Sequence, residues 1–307
     1  MAGSKCTRLN GALIKQVLDS VDSVLFDCDG VIWRGDSAVP GAAEVINLLK
    51  KHGKNVYFVT NNSSKTRKLY AQKMGRMGFN VEEEDVFGTA YCTAMYLKTV
   101  ANYKGKVYLI GSNALKQELE DVGIQQTGVG PDHISGAPSD WANVPLDPEV
   151  KAVVVGFDEH FSYMKVNRAM QYLNDPSCLF VATNTDTRLP LEGGKAVPGT
   201  GSLVTAVEMA AQRQAQKVGK PNGFMVDCVA SQCGGLDRSR CMMVGDRLDT
   251  DIMLGTNCGL KTVLTLTGVN TLADAQAHQG SGCPERQKMV PDYYVESIAD
   301  LLPFLQG

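Results

Sequence analysis

Alternation of short apolar segments with helical patterns limits the folds that this chain can adopt. Residues 24–26 and 56–60 have the composition of buried strands, and residues 42–52 between them carry apolar residues at helical spacing. Apolar segments at 241–245 and 261–267 repeat the strand pattern, again with a helical segment between them. Strands that alternate with helices predict a parallel sheet covered by helices on both faces. We therefore predict an α/β protein with a parallel, doubly wound (Rossmann-like) core.

A second series of strand and helix patterns occupies the middle of the chain. It comprises predicted strands at 106–111, 150–157 and 179–183, and predicted helices at 114–122, 163–173 and from 202 to about 216. The segment 125–148 is rich in Gly, Pro, Ser and Asp and is predicted to be a long loop. We predict that residues 105–214 form a large inserted α/β domain, and that residues 1–104 and 215–307 together form the core.

Composition and charge exclude several classes of function. The chain has 307 residues and a formal net charge of −3, so there is no electrostatic case for binding nucleic acid or an acidic membrane surface. The polar N-terminus does not resemble a signal peptide, and no apolar segment approaches the length of a membrane helix. Nine cysteines without a C-x-x-C pair, and four scattered histidines, argue against a zinc site and for reduced thiols. We therefore expect a cytoplasmic protein.

Polar residues of catalytic types lie beside four of the predicted elements. They are Asp27, Asp29 and Gly30 after the first strand, Thr60, Asn61 and Asn62 at the end of the second, Lys220 before a helix, and Asp246 and Asp251 after residues 241–245. Each has an ordinary alternative, namely a turn, a helix N-cap or a surface lysine. Because parallel strands end at the same edge of a sheet, we expect these groups to converge.

Magnesium-assisted phosphoryl transfer accounts for the acidic residues. Oxygen ligands with open positions suit Mg²⁺, and the predicted ligands are Asp27, Asp246 and the backbone carbonyl of Asp29. One Asp can act as a nucleophile that forms an aspartyl-phosphate, while another Asp in a different environment transfers protons. Lys220 is predicted to neutralise charge together with the cation.

Phosphate binding is predicted at the end of the second strand. Thr60 is expected to hydrogen-bond a phosphate oxygen, and Asn61 and Asn62 are expected to orient the site. The N-terminus of the helix that follows would add backbone donors for an anion.

In this order, the four stretches resemble the motifs of the haloacid dehalogenase superfamily of phosphatases. Asp27-x-Asp29 is similar to the first motif, which implies that Asp27 is the nucleophile and Asp29 the general acid/base. Thr60 and Lys220 are similar to the second and third motifs, and Gly-Asp-x4-Asp at 245–251 is similar to the acidic fourth. The resemblance implies that Asp251 acts through water or by orienting the site, and that Gly30 supports the first motif.

Further residues resemble the p-nitrophenylphosphatase-like branch of this superfamily. They are Pro-Gly-Thr-Gly at 198–201, Glu208 and Gly-Lys-Pro at 219–221, together with an insertion the size of a large α/β cap. The resemblance implies Mg²⁺-dependent hydrolysis of small phosphate monoesters, with 2-phosphoglycolate and glycerol 3-phosphate as expected substrates. Pyridoxal 5′-phosphate and phosphotyrosine are alternative substrates, and a phosphomutase or a non-catalytic scaffold are alternatives of another class. The resemblance also suggests a homodimer that forms through the cap.

Substrate selection is expected to depend on a loop of the cap, residues 184–191. Arg188 could pair with a substrate carboxylate, as 2-phosphoglycolate would require, although an ordinary surface arginine explains it equally well. Asp186 could hydrogen-bond substrate hydroxyl groups. Because glycerol 3-phosphate has no carboxylate, Arg188 is expected to matter less for that substrate.

Overall fold

The computed structural model describes residues 5–191 and 195–306, which divide into two compact units. The first unit contains the chain up to Thr60, Lys68–Phe87 and the chain from Lys220 onward. The second contains Asn61–Arg67 and Gly88–Gly219. The domain boundaries at 104/105 and 214/215 that we inferred from the sequence stay a prediction.

Strands and helices alternate through most of the described residues. The strands are β1 (Thr7–Arg8), β2 (Ser23–Phe26), β3 (Trp33–Arg34), β4 (Ser37–Ala38), β5 (Asn55–Thr60), β6 (Val86–Gly88), β7 (Lys106–Ile110), β8 (Gln126–Thr127), β9 (Val150–Val155), β10 (Leu179–Ala182), β11 (Arg188–Pro190), β12 (Ala196–Pro198), β13 (Gln216–Lys217), β14 (Cys241–Gly245), β15 (Lys261–Thr265) and β16 (Tyr293–Val295). The helices are α1 (Gly11–Asp19), α2 (Ala42–Lys51), α3 (Arg67–Arg76), α4 (Thr89–Met95), α5 (Asn113–Asp121), α6 (Pro138–Trp141), α7 (Tyr163–Leu173), α8 (Thr200–Ala211), α9 (Phe224–Gln232), α10 (Met253–Cys258), α11 (Leu272–Gln279), α12 (Pro284–Gln287) and α13 (Leu302–Leu305). Single π-helical turns at Tyr96–Val100 and Leu248–Ile252 precede or extend helices.

A seven-stranded sheet forms the centre of the first unit. Its strand order is β1-β16-β15-β14-β2-β5-β6, and the pairs from β1 to β5 are parallel. β2 is buried along its whole length, as expected for a central strand with both faces covered. The predicted α/β fold with a parallel, doubly wound core is confirmed.

Apolar residues of α1 and α2 lie in the core of the first unit, and those of α2 have the helical spacing that predicted this helix. The buried positions are Ile14, Val17 and Leu18 in α1, and Ala42, Val45, Ile46 and Leu49 in α2. The same core contains Phe26 of β2 and Phe58 of β5, whose rings stack with centroids 6.4 Å apart. This packing holds in place β2, which Asp27 directly follows, and β5, which ends at Thr60.

A five-stranded sheet forms the centre of the second unit. Its order is β13-β10-β9-β7-β8, and all of its pairs are parallel. α7 and α8 pack against it, and the core includes Val153, Val155 and Phe180. A separate antiparallel hairpin joins β11 to β12, with Arg188 opposite Pro198.

Two of the predicted elements in this unit are wrong in part. The helix expected from 202 to about 216 begins at Thr200 and ends at Ala211, and Gln216–Lys217 is instead strand β13 beside β10. Ala215 and Val218 flank that strand and are buried, so anchoring at the sheet edge outweighs helix propensity. The expected loop 125–148 contains β8 and α6.

Side chains fix part of that loop to the sheet. Asp132 accepts hydrogen bonds from Tyr108 Oη at 2.9 Å and from Arg168 Nε at 2.7 Å.

Nine free cysteines are found, all within the described residues. In the same residues, no helix has both the length and the apolar character needed to cross a bilayer.

Candidate active site

The carboxyl ends of β2 and β14 are neighbours at the point where the strand order of the first unit reverses. From β2 the sheet extends through β5 and β6 on one side and through β14, β15 and β16 on the other. Ligands of open α/β sheets bind beyond the strand ends at such a point. Asp27 follows β2 and Asp246 follows β14. The fold therefore brings these two predicted residues together.

A buried cluster of three carboxylates and one ammonium group occupies this position. Asp27, Asp246 and Asp251 each offer a carboxylate oxygen, and these oxygens lie within 4.8 Å of one another. Lys220 Nζ lies 2.6 Å from Asp27 Oδ1 and 2.8 Å from Asp251 Oδ1. Four residues predicted from three separate stretches of the sequence thus form one group.

Lys220 is the cation of this cluster. Its side chain is only 3% exposed, and it also donates a hydrogen bond to Val59 O at 2.9 Å. Burial alone would lower the pKa of Lys220, but the charges of Asp251 and Asp27 outweigh it and raise that pKa above its usual value. Lys220 therefore stays charged, and the alternative of an ordinary surface lysine is wrong.

Two glycines make room for the carboxylate of Asp246. Its Oδ2 accepts a hydrogen bond from the Val269 N–H at 2.7 Å. A Cβ at Gly30 would stand 2.5 Å from Oδ2, and a Cβ at Gly268 would stand 1.9 Å from it. Gly30 also has a φ of +85°, which favours glycine. Any larger residue at Gly268 would therefore displace the carboxylate.

Asp251 supports the cluster from the turn after β14. Its Oδ2 accepts hydrogen bonds from the backbone N–H groups of Asp246 and Arg247, each at 3.1 Å. Burial raises the pKa of Asp251 to about 6, against the lowering effect of Lys220. These contacts match the predicted orienting role of Asp251, which stays a prediction.

The chemistry of the cluster fits a divalent cation such as Mg²⁺. Asp246 Oδ1 is buried and has no hydrogen-bond partner within the described residues. Burial, followed by the charge of Asp27, raises the pKa of Asp246 well above its usual value, and burial also raises the pKa of Asp27. An unpaired buried oxygen among crowded carboxylates is the environment that a hard cation relieves.

Asp29 is held by an aromatic side chain. Its Oδ1 accepts a hydrogen bond from Trp33 Nε1 at 2.8 Å, and the Trp33 ring stacks on Tyr70 with centroids 6.1 Å apart. Trp33 is fully buried, so it fixes the direction of the Asp29 carboxylate. We did not identify Trp33 from the sequence as a site residue, although its place four residues after Asp29 was a usable signal.

The predicted phosphate-binding residues fall in both units. Thr60 is buried at the end of β5, in the first unit. Asn61 and Asn62 belong to the second unit, where Asn61 Nδ2 donates to Asp186 Oδ1 at 3.0 Å and Asn62 Oδ1 accepts from the Ser64 N–H at 2.8 Å. Arg188 is exposed at the start of β11. The substrate-binding roles of these residues stay predictions.

The loop after β15 also contacts site residues, and the sequence analysis did not predict this. Thr267 Oγ1 donates a hydrogen bond to Gly30 O at 2.5 Å, Gly268 leaves room for Asp246, and Val269 donates to it. We treated residues 261–267 only as a strand. The signal available was Gly268 immediately after that strand, at the same sheet edge as the acidic residues.

Comparison with known proteins identifies two family models in the chain. A model described as haloacid dehalogenase-like hydrolase matches residues 24–125, and a HAD-hydrolase-like model matches residues 217–301. These ranges contain the predicted motifs on either side of the insertion.

Relatives match the chain along nearly its whole length. Glycerol-3-phosphate phosphatase of Homo sapiens is 56% identical over 99% of this chain and 97% of its own length. Chronophin of Homo sapiens is 44% identical over 99% of both chains. Among solved structures, glycerol phosphate phosphatase from Mycobacterium tuberculosis in complex with magnesium is 27% identical, with a TM-score of 0.74, over 93% of this chain and 77% of that one.

Proposed function

The chain belongs to the haloacid dehalogenase-like hydrolase family and is a phosphatase, and we propose that it hydrolyses small phosphate monoesters with Mg²⁺ as cofactor. The expected substrates are glycerol 3-phosphate and 2-phosphoglycolate. The observation that carries this proposal is the buried group of Asp27, Lys220, Asp246 and Asp251 at the switch point of the first sheet. The similarity to glycerol-3-phosphate phosphatase supports the choice of substrate.

Asp27 is the nucleophile in this proposal. A carboxylate oxygen of Asp27 attacks phosphorus, and the bond between phosphorus and the ester oxygen breaks. The product of this step is an aspartyl-phosphate and an alkoxide leaving group. Lys220, 2.6 Å from Asp27 Oδ1, holds the carboxylate in place and offsets the charge that collects around phosphorus.

Asp29 transfers protons in both halves of the reaction. Protonated Asp29 gives its proton to the leaving alkoxide. The resulting carboxylate then removes a proton from water, whose oxygen attacks phosphorus and breaks the bond to Asp27. The hydrogen bond from Trp33 fixes the direction of Asp29 for both transfers.

The cation would be held by Asp27, Asp246 and the backbone carbonyl of Asp29, with Asp251 orienting the site through backbone contacts. When bound, it would neutralise the phosphate and the charge of the transferred group. Thr60 would hydrogen-bond a phosphate oxygen, and Asn61 and Asn62 would place the substrate.

Arg188 is the proposed selector for a substrate carboxylate. Its exposure leaves the guanidinium accessible, and arginine binds carboxylates through two parallel hydrogen bonds. Replacement of Arg188 by Ala should therefore raise KM for 2-phosphoglycolate more than KM for glycerol 3-phosphate. Equal changes for the two esters would refute this role.

Phosphate release by the purified chain tests the proposal. Glycerol 3-phosphate, 2-phosphoglycolate, pyridoxal 5′-phosphate and a phosphotyrosine peptide are compared in parallel, with Mg²⁺ or with EDTA. Metal-dependent release that favours one of the first two esters is expected. Preference for pyridoxal 5′-phosphate or the peptide would assign the alternative substrate. A transferred product without free phosphate would indicate a mutase, and no turnover of any ester would indicate a scaffold.

We also propose a cytoplasmic homodimer that forms through the second unit. Tyr163 and Met209 of that unit are 70% and 76% exposed, so two large side chains are accessible to a second copy of the chain. Light scattering after size exclusion should give twice the 33.1 kDa of one chain. Cell fractionation tests the location. A mass of one chain, or recovery outside the cytosol, would refute the corresponding part.

A further inference from the structure

Asn61 and Asp186 are hydrogen-bonded across 125 residues of sequence within the second unit. Asn61 Nδ2 donates to Asp186 Oδ1 at 3.0 Å. Asn61 is buried and Asp186 is half-buried, so the bond is partly shielded from water and is worth more than an exposed one. Asn61 is the residue after Thr60, and Asp186 lies two residues before β11.

Asp186 is also anchored through its backbone at the root of the β11–β12 hairpin. Its carbonyl oxygen accepts a hydrogen bond from the Gly201 N–H at 2.9 Å, and the Gly199 N–H donates to Thr187 O at 2.9 Å. A Cβ at Gly199 would stand 2.2 Å from Asp186 O, so this close approach requires glycine. Backbone hydrogen bonds therefore fix the residues that precede Arg188. The side chain of Asp186 is fixed separately, by its hydrogen bond with Asn61.

Asn61 is itself fixed by its neighbours. Its carbonyl oxygen accepts a hydrogen bond from Thr89 Oγ1 at 2.6 Å, and Thr89 is fully buried. A Cβ at Gly219 would stand 2.7 Å from Asn61 Oδ1 and 2.6 Å from Thr183 O. Gly219 directly precedes Lys220. Asn61 therefore contacts the root of the hairpin and lies close to Gly219. Thr60 directly precedes Asn61 and Lys220 directly follows Gly219, and both are candidate active-site residues.

We propose that the hydrogen bond between Asn61 and Asp186 is a positioning contact that sets substrate selection by holding the β11–β12 hairpin to the backbone next to Thr60. Asp186 is then a positioning residue, and its carboxylate acts on Asn61 instead of on a substrate hydroxyl. The inference deepens the proposed phosphatase function and rests on it where substrate selection is concerned. The contact itself does not depend on the reaction.

A cycle of near-isosteric variants tests the contact. Asn61→Asp places two carboxylates about 3 Å apart and breaks the bond by repulsion. Asp186→Asn keeps an acceptor oxygen for Asn61, so it should change little. The double variant Asn61→Asp/Asp186→Asn restores a donor and an acceptor with the roles exchanged. Asp186→Leu removes the acceptor and serves as a second disrupting variant if Asn61→Asp folds poorly.

Hydrogen–deuterium exchange of peptides that cover β11 and β12 is the readout independent of activity. Exchange there should become faster in Asn61→Asp and Asp186→Leu, and should return to the wild-type rate in the double variant. Unchanged exchange in both disrupting variants, or no recovery in the double variant, would overturn the proposal. Because this measurement needs no substrate, it decides the contact even if the chain releases no phosphate and the proposed function fails.

Kinetics separate positioning from direct binding. KM for glycerol 3-phosphate should rise about tenfold in Asn61→Asp with a smaller change in kcat, and should recover in the double variant. If Asp186→Asn alone raises KM for glycerol 3-phosphate as much as Asn61→Asp does, the carboxylate binds substrate directly and the positioning role is refuted.

Discussion

The charges of four buried residues in the candidate active site do not cancel. Asp27, Asp246 and Asp251 supply three carboxylates, whereas Lys220 supplies one positive charge. Burial raises the pKa of each carboxyl group, and the raised pKa values record how poorly one lysine balances three acids. This excess of negative charge favours binding of a divalent cation and makes each member of the cluster sensitive to replacement.

Replacement of Asp27 by Asn should reduce turnover to less than about a thousandth of the wild-type rate, because an amide cannot form the aspartyl-phosphate. Phosphate release under saturating Mg²⁺ measures this. Asp249→Asn is the matched control, since Asp249 is exposed and, within residues 5–191 and 195–306, forms its ion pair with Arg247. The control should stay within about twofold of wild type. More than about a tenth of the activity in Asp27→Asn would show that another residue is the nucleophile.

Replacement of Lys220 by Met should destabilise the metal-free protein by about 3–5 kcal/mol, because it leaves Asp27 and Asp251 buried without their counter-charge. Urea unfolding in EDTA measures the free energy of unfolding. Lys217→Met is a control three residues away, at a half-exposed ion pair with Glu208, and should cost less than about 1 kcal/mol. Equal losses for the two variants would contradict the buried charge balance.

Some secondary-structure elements can be predicted from the sequence more accurately than others. β2, β5 and β14 were placed within one or two residues, because a buried strand flanked by helices has a dense apolar pattern. The hairpins β3–β4 and β11–β12 have strands of two or three residues, too short to show a period. The sequence pattern predicts helix at β13, because its identity as a strand depends on pairing with β10, which is distant in the sequence. Asp27 and Asp246 can be predicted because parallel strands end at one edge of a sheet, whereas Lys220 is predicted only from its motif before a helix.

Replacement of Gly268 by Ala tests the loop that the sequence did not reveal. The added Cβ would stand 1.9 Å from Asp246 Oδ2, so the carboxylate must move. Mg²⁺ affinity, measured by calorimetry, should fall about tenfold to a hundredfold. Gly75→Ala in α3 has no atom within 4 Å of the new Cβ, and it should leave Mg²⁺ affinity unchanged while stabilising the helix slightly. Unchanged affinity in Gly268→Ala would show that Asp246 does not bind the metal.

At the scale of the whole molecule, the proposed metal binding should be coupled to stability and to pH. A ligand that binds only the folded chain stabilises it, by about 2.7 kcal/mol at a concentration one hundred times its Kd. Protons compete for the same carboxylates. A carboxyl group whose pKa is raised by folding contributes stability at low pH and loses that contribution as the pH rises through its folded pKa. For Asp251 that pKa is about 6.

The difference in Tm between the Mg²⁺-loaded and EDTA-treated protein should therefore shrink as the pH is lowered from about 7.5 to about 5.5. Protonation stabilises the metal-free cluster and removes metal ligands at the same time, so both effects act in this direction. Differential scanning fluorimetry across this range measures the difference. Asp246→Asn should abolish most of it at every pH. A difference that grows as the pH falls would contradict the raised carboxyl pKa values.

The strand order of the first sheet has a consequence for how the chain is made. β2 lies between β5 and β14, but β14 follows it by roughly 200 residues, which a ribosome adds in about 10–40 s. During that time one edge of the fully buried strand β2 has no partner, while the strands β7 to β10 can already pair with one another. A nascent chain that stops before Cys241 keeps this edge open and is prone to aggregate. The first sheet can therefore be completed only after synthesis reaches the C-terminal strands.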